Sequence, residues 1–112
     1  MYKISGVLIL EKISYTFPAT KQIEHFAHVG VVGSGDLEVI IKPTNHSKTN
    51  ITIRTGIRGY KTIWESVIHR FFQEHDISAE VKINDFGATP GVVKLRLEQA
   101  LEVCCHDKYN KN

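Results

Sequence analysis

The stretch VGVVGSGDLEV, residues 29–39, places two apolar segments on either side of a short polar turn. The flanking segments, residues 27–32 and 37–41, are rich in β-branched side chains, which favour strands. Glycine in the connection tolerates a positive φ and allows another protein to approach the backbone closely. The stretch therefore predicts a β-hairpin that presents the hydroxyl group of Ser34 on an exposed turn. An ordinary turn without chemical function accounts for the same residues, so the rest of the chain has to decide between the two interpretations.

Further strands and a first helix are predicted from the spacing of apolar residues. Alternating or β-branched segments predict strands at residues 13–17, 51–55 and 77–83, with Pro18 ending the first and a polar turn at residues 47–50 preceding the second. Apolar residues at positions 60, 63, 64, 67, 68, 71 and 72 predict an amphipathic helix with one buried face. Thr62 and Glu65 have the spacing of a capping box, which predicts the start of this helix.

A second helix is predicted near the end of the chain, because Thr89 can cap a helix whose first residue is Pro90. The residues that then share one helical face are Val93, Leu97, Ala100, Leu101 and Cys104. Alternation at positions 93, 95 and 97 also fits a sixth strand, but Leu101 and Glu102 favour the helix. The predicted fold class is α+β, a mostly antiparallel sheet of four to five strands with two helices packed on one face.

The size and charge of the chain favour a binding or carrier module. Its 112 residues suffice for one domain with a single core but not for most self-contained enzyme clefts. The 14 Lys and Arg residues against 12 Asp and Glu residues give a net charge of +2. Because the basic residues are scattered and have few aromatic neighbours, we expect no nucleic-acid partner.

The two ends of the chain bear on its location. The apolar segment at residues 4–10 is too short to span a membrane, and it lacks a convincing secretion cleavage site. Cys104 and Cys105 are adjacent and cannot link distant parts of the chain, so we expect them at a frayed terminus and the protein in the reducing cytoplasm.

Several kinds of chemical site are disfavoured by their surroundings. The glycine-rich string at residues 30–35 does not open a helix after its strand, as a dinucleotide-binding loop must. Ser34 has no strand-turn-helix elbow of the kind that supports a hydrolase triad. No two histidines form the i, i+4 pair that would suggest zinc, so no metal site is expected. His25 and His28 precede the hairpin, where they either help to receive a phosphate or have no special role.

Two separated motifs resemble the acyl carrier subunit, or delta subunit, of malonate decarboxylase. The first is residues 29–39, and the second is NDFGATPGVVKLRLEQA, residues 84–100. They stand in the right order in a chain of the right size, and the likeness covers about residues 13–105. The citrate lyase gamma subunit is a more distant relative with the same kind of prosthetic group, but the strings GSGD and DFGATPG favour malonate decarboxylase.

The resemblance implies a covalent attachment site. In that family the serine that matches Ser34 carries 2'-(5''-phosphoribosyl)-3'-dephospho-CoA through a phosphodiester bond, and the resemblance gives Gly33, Gly35 and Asp36 the role of supporting turn. It also implies that the chain has no catalytic residues of its own. The implied partners are the acyltransferase and decarboxylase subunits of malonate decarboxylase, a malonyl transferase, and the phosphoribosyl-dephospho-CoA transferase that attaches the group.

The resemblance further implies how such a carrier is used. The thiol of the arm is acetylated, exchanges acetate for malonate, and regains its acetyl form when the malonyl thioester is decarboxylated by a partner subunit. Two alternatives remain open, a citrate lyase type of carrier and a noncatalytic scaffold subunit without a prosthetic group. The expected organisation is an N-terminal extension at residues 1–12, a carrier domain at 13–105 and a loose tail at 106–112.

Overall fold

The structure is a computed structural model that describes residues 2–4, 7–33 and 35–105, with side chains from residue 9 onward. Within these residues, seven strands and two helices follow one another. In order they are β1 Tyr2–Ile4, β2 Val7–Ile9, β3 Glu11–Pro18, β4 Ala27–Gly30, β5 Leu37–Pro43, β6 Lys48–Thr55, α1 Lys61–Glu74, β7 Ala79–Asp85 and α2 Pro90–Cys104. The predicted α+β class is confirmed.

Five of the strands form one sheet in the order β3-β6-β7-β5-β4. Every neighbouring pair is antiparallel except β6 and β7, which run parallel because α1 connects them and returns the chain to the same end of the sheet. β7 therefore lies at the centre of the sheet, between β6 and β5. β1 and β2 pair with each other in a separate two-stranded sheet.

One face of the five-stranded sheet is covered by both helices. Leu37, Val39 and Ile41 alternate along β5 and are fully buried, whereas Glu38 and Lys42 point to the other face. α2 lies over β4 and β5 and also contacts α1. The ring of Phe72 on α1 stacks on Phe17 of β3. The predicted packing of two helices on one face of the sheet is confirmed.

The start of the first helix differs from the prediction. α1 begins at Lys61, and its N-cap residue Tyr60 makes no capping hydrogen bond through its side chain. Thr62 lies inside the first turn, so the predicted capping box with Glu65 is wrong. The position of the helix is set by its packing, because Trp64, Ile68 and the two phenylalanines bury one face.

The apolar stripe of α1 is wider than the face it buries. Tyr60 and Ile63 belong to the predicted stripe but are 48% and 42% exposed. Trp64, one residue further along, is 5% exposed and belongs to the core. The N-terminal end of α1 therefore presents apolar side chains at the surface.

Strand lengths also differ from the sequence-based bounds. β4 ends at Gly30, not at residue 32, because Gly30 turns the chain with a φ of +80° and packs directly against the carbonyl of Leu37. β6 begins at Lys48, so most of the predicted polar turn at residues 47–50 is strand. Ser47 alone has the positive φ, 57°, of a turn residue there.

The second helix is confirmed and the alternative sixth strand is wrong. The Thr89 hydroxyl accepts a hydrogen bond from the Val92 amide, and Pro90 is the first helical residue. Cys104 is 1% exposed in the last turn of α2, so it belongs to the core and not to a frayed end.

The predicted tail at residues 106–112 lies outside the described residues. None of the helices in the described part of the chain is both long and apolar enough to cross a membrane.

Candidate functional site

The candidate site is the connection between β4 and β5. Ser34 itself lies outside the described residues, but its neighbours on both sides are described. The amide of Asp36 donates a hydrogen bond to the carbonyl of Gly33 at 3.1 Å, which closes a four-residue turn. Gly35, the third residue of that turn, has a φ of +76°, which glycine adopts without strain. The predicted turn is therefore present, and the role of Ser34 remains a prediction.

The turn is joined to the β7–α2 connection by backbone hydrogen bonds. Gly35 donates to the carbonyl of Phe86 at 2.8 Å, and the amide of Phe86 donates to the carbonyl of Asp36 at 3.0 Å. These bonds extend the β5–β7 ladder beyond its last pair, Leu37 with Asp85. The two motifs that carry the sequence resemblance thus meet in space.

Gly35 and Gly87 lie at the point where the two backbones approach each other. A Cβ atom added at Gly87 would lie 3.7 Å from the Gly35 nitrogen and 3.8 Å from its Cα atom. Gly87 also has a φ of +99°, which disfavours any other residue. The backbone of the β7–α2 connection therefore packs against the backbone of the turn, one residue from Ser34.

A side-chain ion pair holds the same end of the turn, at Asp36. The Arg96 guanidinium donates to both carboxylate oxygens of Asp36, at 3.1 Å from Nε and 2.8 Å from Nη2. The Asp36 carboxylate also accepts from the Leu37 amide at 2.7 Å. The hydrogen bond from Arg96 lowers the pKa of Asp36, so the carboxylate is ionised at neutral pH. Arg96 was not predicted as a site residue, and only its place in the second motif pointed to it.

A second aspartate shapes the connection that the turn rests on. Asp85 is buried, and it accepts hydrogen bonds from the amide of Ala88 at 3.0 Å and the hydroxyl of Thr55 at 2.9 Å. Burial raises the pKa of this carboxyl, although those hydrogen bonds act in the opposite direction. Asp85 thus fixes the bend that carries Phe86 and Gly87 to the turn.

The space around the turn is open enough for an attached group. A Cβ atom added at Gly35 would meet nothing within 4 Å, and one at Gly33 would meet only the side chain of Val31, at 3.7 Å. Val31 is itself well exposed. A bulky substituent on the residue between these two glycines therefore fits the surroundings that the structure describes.

The two histidines near the hairpin are placed differently. The His28 ring nitrogen lies 2.7 Å from the Glu38 carboxylate, on the face of the sheet opposite the helices. The Asn84 side chain donates to the other oxygen of Glu38 at 2.8 Å. His25 lines a cavity with Cys105 at the C-terminal end of α2, roughly 20 Å along the helix from its N-terminus by the rise of 1.5 Å per residue. The described residues contain no cluster of three or more His, Cys, Asp or Glu side chains suited to a metal ion.

Comparison with known protein families gives a match that includes both motifs. The profile of the family described as malonate decarboxylase delta subunit (MdcD) matches residues 24–104, which is more than half of the chain. The chain belongs to the malonate decarboxylase delta subunit family. The matched region includes the turn, Arg96 and both helices.

Relatives within the delta subunit family are similar along most of this chain. The malonate decarboxylase acyl carrier protein of Azotobacter vinelandii is 47% identical over 94 residues, which are 83% of this chain and 95% of that protein. The protein of the same name from Stutzerimonas stutzeri is 46% identical over 99 residues, 88% of this chain and all of its own length.

A solved structure is similar in fold as well as in sequence. It comes from the crystal structure of a Pseudomonas malonate decarboxylase hetero-tetramer in complex with malonate. The matching chain is 42% identical, with a TM-score of 0.78, over 83% of this chain and 97% of that one.

Proposed function

We propose that this delta subunit family member is the acyl carrier of a malonate decarboxylase and that Ser34 is its attachment residue for 2'-(5''-phosphoribosyl)-3'-dephospho-CoA. The observation that carries the proposal is a turn that is fixed on the C-terminal side of its tip and is otherwise open. Asp36 is bound by Arg96, Gly35 is bound by Phe86, and apart from its neighbours in the chain no described atom lies within 4 Å of a Cβ built at Gly35. When attached, the group supplies a thiol that carries acyl units as thioesters.

The protein's own contribution is position. A long attached arm on a fixed turn keeps its thiol at a high effective concentration near any active site that the carrier docks against. The hydrogen bonds from Arg96 and Phe86 keep the base of that arm at a constant place relative to the sheet. The thioester bonds between acyl units and the arm are then made and broken by groups on partner subunits, so the chain does not act as an enzyme by itself.

The partners follow from the same proposal. A chain 42% identical to this one comes from a structure described as a hetero-tetramer of malonate decarboxylase, which supports docking against other subunits. We assign the acyltransferase and decarboxylase subunits, a malonyl transferase and the phosphoribosyl-dephospho-CoA transferase as partners. The free thiols of Cys104 and Cys105 fit a reducing cytoplasm.

The intact mass of the protein tests the attachment. The chain is co-expressed with the transferase and the cofactor-synthesis protein of a malonate decarboxylase system, and its mass is compared with that of protein made alone. We expect a gain equal to one phosphoribosyl-dephospho-CoA group, located on the peptide that contains Ser34.

Two variants make the test specific. Ser34→Ala removes the only hydroxyl between the two glycines and should abolish the mass gain while leaving the circular dichroism spectrum unchanged. Ser14→Ala, at an exposed position on β3, is the matched control and should be modified as the parent is. An unchanged mass of the parent, with a transferase active on another carrier, would favour the scaffold interpretation.

A further inference from the structure

A groove opens between the N-terminal ends of the two helices, next to the candidate attachment turn. It has a volume of about 320 Å³, within the lower range of small-molecule sites. Its lining residues come from both helices and from the β6–α1 and β7–α2 connections. They include Tyr60, Ile63, Trp64, Gly87, Pro90 and Val93.

We propose that this groove holds the adenine base of the arm attached at Ser34, an inference that rests on the proposed function. The groove reaches the turn through Gly87, whose Cβ position lies 3.7 Å from the Gly35 nitrogen. In the attached group, the adenosine is separated from the serine oxygen by only a phosphodiester and one additional ribose. The adenine is therefore the first large apolar part of the arm along its length.

The composition of the groove favours the base over other parts of the arm. Among the described residues that line it, only Asp85 has an acidic or basic side chain, and that carboxyl is buried and engaged in hydrogen bonds within the fold. Because no Lys or Arg is among those residues, the groove offers no cation to the diphosphate of the arm, whereas its aromatic and aliphatic surface suits a flat ring. Tyr60 and Ile63 expose apolar surface along one wall, and Pro90 and Val93 line the groove from the other helix.

Rigidity gives a second reason to prefer the adenine to the pantetheine. A flat fused ring loses little conformational freedom on binding, whereas a flexible chain loses a rotamer's entropy for each bond that it orders. The pantetheine also has to leave the carrier to reach partner active sites, while the base does not. Holding the adenine shortens the mobile part of the arm and leaves its thiol free to move.

Two other cavities of similar size lack this relation to the turn. One, of about 320 Å³, lies at the C-terminal end of α2 and is lined by His25 and Cys105. The other, of about 280 Å³, lies along the two helices and is lined by Arg70, Lys94 and Glu98. Neither has Gly35 or Gly87 among its lining residues.

The inference is tested by NMR spectroscopy of the modified protein, with the chain labelled with ¹³C and ¹⁵N and the arm unlabelled. We expect NOEs from the adenine H2 and H8 protons to the methyl groups of Ile63 and the indole ring of Trp64. Trp64 is the sole tryptophan of the chain, so its indole signal is assigned without ambiguity. NOEs to these residues from the pantetheine methyl groups, or from no part of an attached arm, would overturn the inference.

A matched pair of variants distinguishes the effect of a charge placed in the groove from the effect of a charge placed elsewhere on the surface. Ile63→Glu introduces a charge at a 42% exposed groove position, and Val103→Glu does the same at a 45% exposed position on α2 that does not line the groove. Both variants should fold and gain the arm by mass. The adenine NOEs should disappear in Ile63→Glu and persist in Val103→Glu, whereas persistence in both would contradict the inference. Failure to gain the arm in the parent would instead refute the proposed function itself.

Discussion

The Arg96 guanidinium donates two hydrogen bonds to the Asp36 carboxylate, although the two residues lie 60 positions apart in the sequence. Asp36 is the last residue of the candidate attachment turn, and Arg96 lies in the first half of α2. The ion pair therefore links the attachment turn to the helix that packs over β4 and β5. Bidentate pairs of this kind add geometric definition as well as energy.

Replacing Arg96 should loosen the turn without disturbing the core. The two side chains are 28% and 20% exposed, so solvent screens part of the attraction. We expect Arg96→Ala to lower the free energy of unfolding and to speed hydrogen exchange at the Gly35 amide. Urea denaturation and exchange NMR measure the two effects.

The control for this prediction is Arg70→Ala, which removes an exposed arginine from α1. It should change the free energy of unfolding by no more than about 0.5 kcal/mol and leave the exchange of Gly35 unchanged. Equal effects of the two variants would show that the pair with Asp36 does not order the turn.

The ion pair should also make stability depend on pH in a defined direction. Arg96 lowers the pKa of Asp36 in the folded state below its value in the unfolded chain. The resulting stabilisation is fully present above the unfolded-state pKa, near 4, and is lost as the pH falls through the lower folded-state pKa. The difference in unfolding free energy between the parent and Arg96→Ala should therefore be constant from pH 5 to pH 7 and shrink below about pH 4. A difference that grows on acidification would contradict this assignment.

Alanine substitutions at two glycines near the turn should have very different costs. Both have positive φ, but a Cβ atom at Gly30 would lie 2.0 Å from the Leu37 carbonyl oxygen, whereas one at Gly35 would meet nothing. We expect Gly35→Ala to cost about 1–2 kcal/mol from backbone strain alone. Gly30→Ala should cost more than about 3 kcal/mol or prevent folding, because backbone atoms have to move. Denaturant titration of both variants gives the comparison, and equal costs would rule out the close contact at Gly30.

The adjacent cysteines should react at different rates. Cys104 is 1% exposed. Its burial, together with the charge interaction and hydrogen bond with Cys105, raises the pKa of its thiol to about 12. Because the thiolate is the reactive form, iodoacetamide at pH 8 should alkylate Cys105 first. Peptide mass spectrometry after timed quenching measures both rates. Denatured protein is the control, in which the two thiols should react alike, and equal rates in the folded protein would contradict the burial of Cys104.

Sequence patterns were sufficient to predict the elements that depend on neighbouring residues. The alternation along β3, β6 and β7 and the Thr89-Pro90 start of α2 needed only neighbouring residues, and each was confirmed in type. The turn at residues 33–36 was predicted from its glycines for the same reason. The likeness of two short motifs was sufficient to indicate the family, which the match to residues 24–104 shows.

The distant residues that complete the site could be identified only from the folded chain. The folded chain also shows where packing overrides a local sequence signal. Nothing near Asp36 in the sequence indicates Arg96 or Phe86, because their contacts depend on the path of β7 through the centre of the sheet. The capping signal at Thr62 failed because a cap contributes only about 1 kcal/mol, while burial of a large side chain such as Trp64 contributes more. The exposure of Tyr60 and Ile63 in the groove likewise follows from how the two helices meet, which periodicity along one chain segment does not specify.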